Sequence, residues 1–415
     1  MVARAASWSA RSSPTARCST TSPIARRRRP PRQQRPADRR RAMNAHEDAP
    51  VLIVGASLVG LSSALLLARH GIRALAVEHH PGTAIHPRAA HASQRTLEIL
   101  RSLDLEARVC ERSAEQFVQD GGIVGVETLF GGPTAFYIEN LNAGVRDVSP
   151  SERVFLSQSA LEPILRERAV ALGAELRFNT DVESLEQDAE GVVATLRDRD
   201  THAVTRVRAR YAIAADGARG RVRGQLGVGL TGRPAFSHSA TIYFRADLKA
   251  VLADRRWAVV YANNDRLRGF FRFEKPFESA FLAVNTLGPP DAPDTDVTRG
   301  LDDARATELV HDALGSDATD VTVEKVMTWD AAAQVAQRFR VGRIFLAGDA
   351  AHVMPPTGGF GGNTGLQDAH NLAWKLAMVL KGEAGDALLD SYEAERLPTA
   401  AFTVDQAYTR YVLRT

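Results

Sequence analysis

The stretch Gly55-Ala-Ser-Leu-Val-Gly60 has the residue types and the spacing that could hold a pyrophosphate. Gly55 permits a tight turn after an apolar strand at residues 51–54, and Gly60 lets the following helix pack closely on that strand. The freed backbone N–H groups and the positive end of the helix would then favour phosphate oxygens. Ser57 replaces the middle glycine of the usual pattern and leaves slightly less room. Read alone, the stretch could also be an ordinary turn.

An acidic residue downstream favours the binding interpretation. Glu78 ends a second short strand at residues 72–77, 23 residues after Gly55. At that position a carboxylate can accept hydrogen bonds from the ribose hydroxyls of an adenosine. The strand, helix and strand together span about 30 residues, which is the size of a dinucleotide-binding βαβ unit.

Two later stretches also place polar groups directly after short apolar strands. Residues 211–215 lead into Asp216-Gly217, a pair that without context is often only a turn. Residues 343–347 lead into Gly348-Asp349, followed by Pro355-Pro-Thr-Gly-Gly-Phe-Gly-Gly-Asn-Thr-Gly365. The glycines of this last loop, which include Gly361 and Gly362 before Asn363, would let the backbone lie flat against a planar ligand. The helix that begins there would turn its positive end towards negative charge on that ligand.

Some tempting features predict no site. Gly227-Val-Gly-Leu-Thr-Gly232 fits a dinucleotide pattern, but Pro234 lies too close for a helix to start, so we interpret it as a loop. The two cysteines, Cys18 and Cys110, form no C-x-x-C pair, and no cluster has metal-ligand spacing. We therefore expect no disulfide and no metal, and a reducing, cytoplasmic setting.

Charge is distributed unevenly along the 415 residues. The first 42 residues contain twelve arginines and one acid, Asp38, and so carry a formal charge of +11. Because the whole chain has a formal net charge of +3, the remaining residues carry −8. That acidic body argues against a nucleic-acid partner. Three explanations of the basic segment stay open: a start codon assigned upstream of Met43, an organellar transit peptide, or a nucleic-acid arm. The sequence has no run of 18 uninterrupted apolar residues, so we expect no membrane partner.

The order of predicted elements indicates an α/β fold with a β-rich insert. We predict a disordered basic leader at residues 1–48 and a first part of a dinucleotide-binding domain at residues 49–230. Residues 231–330 contain several short alternating stretches and are predicted to form a mostly antiparallel substrate domain. Residues 331–415 return to the first domain and end in helices.

In their order along the chain and in their residues, these motifs resemble those of the FAD-dependent aromatic-ring hydroxylases, the class A flavoprotein monooxygenases. The resemblance covers roughly residues 50–412. The loop PPTGGFGGNTG and the following Gln367-Asp-Ala-His-Asn-Leu-Ala-Trp-Lys375 are similar to hydroxylases of aromatic polyketides. The resemblance implies a doubly wound, three-layer FAD-binding domain like that of glutathione reductase, with the antiparallel β domain inserted.

The resemblance also implies roles for single residues. Glu78 would hold the adenosine ribose, while Arg88 and Gln158 match positions near the FAD phosphates and the ribityl chain. Asp349 would bind the ribityl or pyrophosphate region, and the segment from Pro355 to Asn363 would line the isoalloxazine. Gly220 stands where the Asp-Gly motif of the family usually has serine, a departure that bears on the handling of NAD(P)H. No catalytic side chain is assigned.

The implied activity is hydroxylation of an aromatic polyketide or phenol through a flavin C4a-hydroperoxide, with NAD(P)H and O2 consumed. The resemblance leaves room for a homodimer. Two alternatives stay open: another flavin-dependent oxidoreductase, and a truncated, catalytically silent FAD-binding remnant. The second arises because many members of the family continue into a thioredoxin-like domain after the point that corresponds to Thr415.

Overall fold

The computed structural model describes residues 46–85, 91–286 and 296–414. Residues 1–45 of the predicted leader and Arg88 lie outside the described residues. The helices are α1 (Leu58–Arg69), α2 (Gln94–Arg101), α3 (Glu106–Gln116), α4 (Gln158–Ala171), α5 (Arg221–Gln225), α6 (Lys249–Leu252), α7 (Asp303–Leu314), α8 (Gly361–Leu380) and α9 (Asp390–Arg414). The strands form two sheets, each described below with its bounds.

The first sheet has a parallel centre. Its strands run in the order β14 (Arg340–Val341), β15 (Ile344–Leu346), β8 (Val204–Ala214), β1 (His46–Val54), β2 (Ala74–Val77) and β5 (Glu175–Arg177), with β6 (Thr180–Gln187) and β7 (Val192–Asp198) as an antiparallel hairpin attached to β8. From β15 to β5 all neighbours are parallel. Residues 51–54 and 74–77 are buried throughout, as parallel strands covered on both faces must be. This sheet confirms the doubly wound α/β prediction.

Helix α1 joins β1 to β2, as the βαβ pattern predicted, and packs against α4 and α8. The apolar stretch from Leu61 to Leu67 fills the space between these helices and the sheet. Helix α4 begins at Gln158, and α8 begins at Gly361, within the glycine-rich loop where the sequence predicted a helix start.

The second sheet is larger than the predicted insert. Its order is β16 (His352–Val353), β13 (Thr322–Ala336), β9 (Leu230–Arg245), β12 (Ser279–Asn285), β11 (Arg268–Glu274), β10 (Trp257–Asn263), β3 (Gly122–Val126) and β4 (Pro133–Ile138). All its pairs are antiparallel except β10 with β3. Strands β3 and β4 thus come from residues ahead of position 231, and β13 continues past position 330.

The two faces of the second sheet have different surroundings. In β11, Phe271 and Phe273 pack into a hydrophobic core with α6 and α7, and the alternate residues Phe270 and Arg272 point to the opposite face. The neighbouring strands follow the same alternation. The second sheet therefore offers one face to its own core and leaves the other for a cavity.

Among the described residues, no helix is long and apolar enough to cross a membrane.

Candidate active site

The sequence motifs meet because each follows the carboxyl end of a parallel strand. The turn at Gly55 follows β1, Glu78 follows β2, Asp216 follows β8, and Gly348 follows β15. These four strands are neighbours in the first sheet, in the order β2, β1, β8, β15. In open α/β sheets ligands bind at this edge of the sheet.

The first turn is so tight that its two glycines cannot carry side chains. Gly55 has φ +96°, and a Cβ there would lie 2.4 Å from the carbonyl oxygen of Ala215. A Cβ on Gly60 would lie 1.9 Å from the carbonyl oxygen of Gly55. The start of α1 therefore presses directly on the turn and brings the N-terminal amides of the helix to the cavity.

Glu78 is tied to the same turn. It is 8% exposed, and its Oε2 accepts a hydrogen bond of 2.8 Å from the backbone N–H of Ala56. Its Oε1 accepts hydrogen bonds from the backbone N–H of His80 at 3.0 Å and lies 2.7 Å from the His80 ring. The carboxylate is thus fixed between the glycine turn and the end of β2, where an adenosine ribose would lie.

A polar cluster at the start of α4 completes this side of the site. The Oγ of Ser57 donates to Glu162 Oε1 at 2.5 Å, and Gln158 Nε2 donates to both Ser57 Oγ and Glu162 Oε1. The other Glu162 oxygen accepts from the backbone N–H of Ala84 at 2.7 Å. Ser57 therefore does more than occupy the place of a glycine, since it links the turn to α4.

Glu162 was missed by the sequence analysis. It is fully buried one helical turn after Gln158, yet an acid inside an ordinary helix pattern gives no local sign of burial. The only available signal was its i, i+4 spacing from Gln158.

The Asp216-Gly217 motif explains the unusual glycine at position 220. The Oδ2 of Asp216 accepts from the backbone N–H of Val222 at 3.1 Å, and a Cβ on Gly220 would lie 2.2 Å from the Asp216 carboxyl carbon. A serine at position 220 would therefore require this carboxylate to move. Burial raises the pKa of Asp216, and its Oδ1 is a buried acceptor with no hydrogen-bond partner among the described residues.

The turn after β15 is packed against α1 and α8. Gly348 has φ +62°, and a Cβ there would lie 2.7 Å from a methyl group of Val59. A Cβ on Gly365 would lie 2.6 Å from the same methyl group and 3.0 Å from the Gly348 Cα. This close packing places the exposed Asp349 in the cavity wall beside the first turn of α8.

Asn363 positions the glycine-rich loop by its side chain. Its Oδ1 accepts from the Ser93 backbone N–H at 2.8 Å and from Thr96 Oγ1 at 2.6 Å. Its Nδ2 donates to the carbonyl oxygens of His91 at 2.9 Å and Gly359 at 2.7 Å. These four bonds use the full capacity of the amide. Asn363 therefore lines the cavity with its backbone while its side chain ties the loop to α2.

A buried charged cluster lies behind the same turn. Asp368 is fully buried and accepts from Arg396 Nε at 2.7 Å and from the Gly348 backbone N–H at 3.1 Å. The His352 Nε2 lies 2.7 Å from the same carboxylate. Burial alone would raise the pKa of Asp368, but the charges and hydrogen bonds of His352 and Arg396 hold it below its usual value. His352, Asp368 and Arg396 thus join the turn after β15 to α8 and α9.

One cavity of about 2380 Å³ joins these elements to the second sheet. Single ligand pockets measure roughly 300–1,000 Å³, so this cavity has room for a dinucleotide and a further molecule. Its far wall is the open face of the second sheet, which is rich in rings: Tyr243, Tyr261, Phe270 and Phe281, with neighbouring centroids 5.9 to 6.0 Å apart. A flat apolar ligand would stack on this wall.

Most of the predicted binding residues line that cavity. They are Gly55, Ser57, Glu78, Gln158, Asp216, Gly217, Asp349, Pro355, Gly361, Gly362 and Asn363. Gly60 and Gly348 lie behind the wall and allow the close packing described above. Among the described residues, no group of three or more His, Cys, Asp or Glu side chains could hold a metal ion.

The residues present fit FAD. The close-packed turn presents backbone amides to a pyrophosphate, Glu78 stands at the ribose position, and the unsatisfied Asp216 oxygen is an acceptor for a ligand hydroxyl. The loop from Pro355 to Asn363 supplies the flat glycine-rich wall.

The half-buried His91 makes the stability of the fold sensitive to acid. Burial, and then the positive charge of Arg153, lower the pKa of His91 from 6.5 to about 4. Between these two values the unfolded chain binds more protons than the folded one, so stability present above pH 6.5 is lost as the pH falls. We expect a loss of about 3 kcal/mol in unfolding free energy across this window. Urea unfolding at several pH values should show the slope, and His91→Gln should flatten it.

A matched change at an exposed histidine separates this effect from general acid denaturation. His202 is exposed and has φ +56°, a conformation that asparagine tolerates. His202→Asn should keep the slope of the wild type. An unchanged slope in His91→Gln would contradict the assignment to His91.

Comparison with known proteins identifies the family. The family described as "FAD binding domain" matches residues 48–407. The chain is 56% identical over 368 residues to a 4-methyl-5-nitrocatechol 5-monooxygenase from Burkholderia sp, covering 88% of this chain and 67% of that protein. It is 40% identical over 394 residues to a tetracenomycin A2 monooxygenase-dioxygenase from Streptomyces glaucescens, covering 89% of this chain and 68% of that protein.

Solved structures agree with the sequence relatives. An aklavinone-11 hydroxylase in a ternary complex with FAD and aklavinone has a TM-score of 0.82 and 36% identity, covering 90% of this chain and 70% of that one. The flavin-dependent monooxygenase PieE, in complex with FAD and substrate, has a TM-score of 0.79 and 36% identity, covering 87% and 63%. The chain thus spans about two thirds of the length of these relatives. With the glycine turn after β1, Glu78 and the glycine-rich loop around one cavity, the chain belongs to the FAD-dependent aromatic monooxygenases.

Proposed function

We propose that this chain binds FAD and uses NAD(P)H and O2 to hydroxylate an aromatic ring. In the balanced reaction one oxygen atom replaces a ring C–H with C–OH, the other leaves as water, and NAD(P)H is oxidised to NAD(P)+. The observation that carries the proposal is the large shared cavity, which is lined both by the ligand-binding edge of the first sheet and by the aromatic wall of the second. A planar cofactor and a planar substrate could meet there.

When bound, FAD supplies the redox chemistry, taking electrons from NAD(P)H and passing them to O2. The protein's part is positioning. Glu78 would hold the adenosine ribose, the turn at Gly55 the pyrophosphate, and the loop from Pro355 to Asn363 the ring system. The first turn of α8 lines the same cavity, and its backbone amides would stabilise negative charge on that ring system.

For the substrate we propose a substituted phenol or catechol, with a nitro-substituted catechol as the first candidate. The relative at 56% identity acts, by its name, on 4-methyl-5-nitrocatechol, and relatives near 40% are polyketide enzymes. The aromatic wall accepts either chemistry, and the higher identity favours the smaller ring.

The test is a turnover assay on the full chain loaded with FAD. NADH or NADPH is added in air with 4-methyl-5-nitrocatechol, simple catechols and an aromatic polyketide, and consumption, product mass and nitrite release are followed. Substrate-stimulated NAD(P)H loss with one oxygen atom incorporated would support the proposal. Nitrite release together with a hydroxyquinone product would place the attack at the nitro-bearing carbon, since the new C–O bond then replaces the C–NO2 bond instead of a C–H bond while the second oxygen atom still leaves as water. Bound flavin without hydroxylated product would favour another flavin-dependent activity or a silent remnant, and failure to bind flavin would overturn the proposal.

The two faces of β11 predict separable effects. Phe270 lies on the cavity wall and Phe271 in the core with α7. Replacing Phe270 by leucine removes an aromatic contact worth about 0.5–1.5 kcal/mol, so KM for the aromatic substrate should rise about 2- to 10-fold while flavin binding is kept. Phe271→Leu, one residue away, should lower stability and leave KM unchanged. Equal KM effects from the two variants would show that the wall does not contact substrate.

A further inference from the structure

Cationic side chains gather around Phe155 on the cavity wall. Arg153 is two residues from Phe155, Arg272 holds its guanidinium 4.3 Å from the Phe155 ring centre, and the His91 ring lies 5.8 Å from it. All four residues line the same cavity. We call these residues, His91, Arg153, Phe155 and Arg272, the Phe155 cluster.

Arg153 is the side chain of the cluster that most needs a ligand. It is half-buried, and its Nε is buried with no hydrogen-bond partner among the described residues. Within that part of the chain only its backbone groups are bonded, to the side chain of Asn142. Burial lowers the pKa of Arg153, and among the described residues no carboxylate forms an ion pair with it. A guanidinium held out of water without a partner is costly, so an anionic ligand would be bound strongly.

Arg272 adds a second charge to the cluster. It is 4% exposed and lies between the rings of Phe117, at 4.6 Å, and Phe155. Burial lowers its pKa to about 9, so it stays protonated at neutral pH. The acid nearest to it along the strand is Glu274, whose own pKa is raised by burial and which accepts a hydrogen bond from Gln116.

His91 brings a hydrogen-bonding ring without a third charge. Its pKa of about 4, caused by burial and by Arg153, keeps the imidazole neutral at ordinary pH. The cluster therefore combines two fixed cations, one neutral imidazole and one aromatic face. An aromatic anion fits this combination in both charge and shape, since the ring can stack on the apolar wall while its charged oxygen meets the guanidinium groups.

We propose that Arg153 and Arg272 form an anion subsite beside Phe155 that binds the ionised oxygen of an acidic phenol. The inference rests on the proposed function and narrows its substrate class to phenols that are ionised when bound. It assigns Arg153 as a specificity-determining residue that distinguishes ionised rings from neutral rings of similar size.

The test measures binding rather than turnover. Full-length protein loaded with FAD is titrated with 4-nitrocatechol, whose absorption reports its ionisation, and with 4-methylcatechol, which stays neutral at the same pH. The wild type should bind the nitrocatechol as its anion at a pH below the ligand's own pKa, and more tightly than 4-methylcatechol. Arg153→Gln should weaken binding of the anion about 10- to 100-fold, the loss of one charge-assisted hydrogen bond, and leave 4-methylcatechol binding unchanged.

Two further variants control the interpretation. Arg153→Lys keeps the charge and should recover part of the preference for the anion. Arg256→Gln removes an exposed arginine that pairs with Asp120 and does not line the cavity. This variant should bind both ligands as the wild type does.

The outcomes separate this proposal from the proposed function. Equal binding of both catechols, unaffected by Arg153→Gln, would overturn the anion subsite and leave an aromatic site intact. Loss of flavin from Arg153→Gln, seen in the flavin absorbance, would assign the charge to the cofactor and also overturn the subsite. If neither catechol binds to the flavin-loaded wild type, the proposed function itself fails for this substrate class.

Discussion

Replacing Asp368 by alanine should lower the free energy of unfolding by about 3–5 kcal/mol. The carboxylate is fully buried and bonds the Arg396 guanidinium, the His352 ring and the backbone N–H of Gly348. Its removal would leave the buried guanidinium of Arg396 without its counter-charge. The Nε2 of His352 and the backbone N–H of Gly348 would each lose their acceptor. Chemical denaturation of the flavin-free protein would measure the loss, and flavin affinity should fall as well because Gly348 would lose its anchor.

Two other aspartate variants calibrate this effect. Asp405 lies on α9 in an exposed pair with Arg233, so Asp405→Ala should cost no more than about 0.5 kcal/mol. Asp368→Asn keeps the shape and two polar atoms and should fall between the alanine variants, which guards against an alanine variant that does not fold. If Asp368→Ala costs as little as Asp405→Ala, the network does not hold α9 to the turn.

The second large effect is expected from a single methyl group at position 60. A Cβ on Gly60 would lie 1.9 Å from the carbonyl oxygen of Gly55, which cannot move while the Gly55 N–H stays bonded to Val77. The turn would have to open and its amides would leave their positions at the pyrophosphate. We expect Gly60→Ala to weaken FAD binding about 100-fold, or about 2.7 kcal/mol, as measured by titration of the flavin-free protein.

Gly224 provides the control. It lies in α5 with ordinary backbone angles, and a Cβ there would meet no atom within 4 Å. Gly224→Ala should therefore leave FAD affinity unchanged and, as an alanine in a helix, should not lower stability. Equal FAD affinities for the two variants would show that the turn at Gly55 is not part of the flavin site.

The sequence predicted the parts of the site that depend on local order. A strand, a glycine turn and a helix follow one another in the chain, so the positions of Gly55, Gly60 and Glu78 could be predicted from spacing alone. The proximity of Asp216 and Gly348 to that turn depends on the order of the parallel strands. That order could be predicted only from the family resemblance. The roles of Arg88 and of NAD(P)H, a homodimer and a cytoplasmic location stay predictions.

Other features depend on contacts between distant parts of the chain. Glu162 lies at the candidate site only because α4 packs beside the turn at Ser57, 105 residues earlier. Strands β3 and β4 join the second sheet through β10, a pairing of residues more than 100 positions apart that no local pattern indicates. The sequence analysis did not single out Arg153 and Arg272, because only the folded chain shows that both line a cavity.

The alternation along β9 to β12 bears on how such a protein can change its substrate. Along each strand the residues that build the core and those that face the cavity take turns, as Phe271 and Phe270 do in β11. Selection can therefore replace every second residue to suit a new aromatic molecule while the intervening residues continue to maintain the fold. A library restricted to the cavity-facing positions of these strands would explore new substrates with little risk to folding.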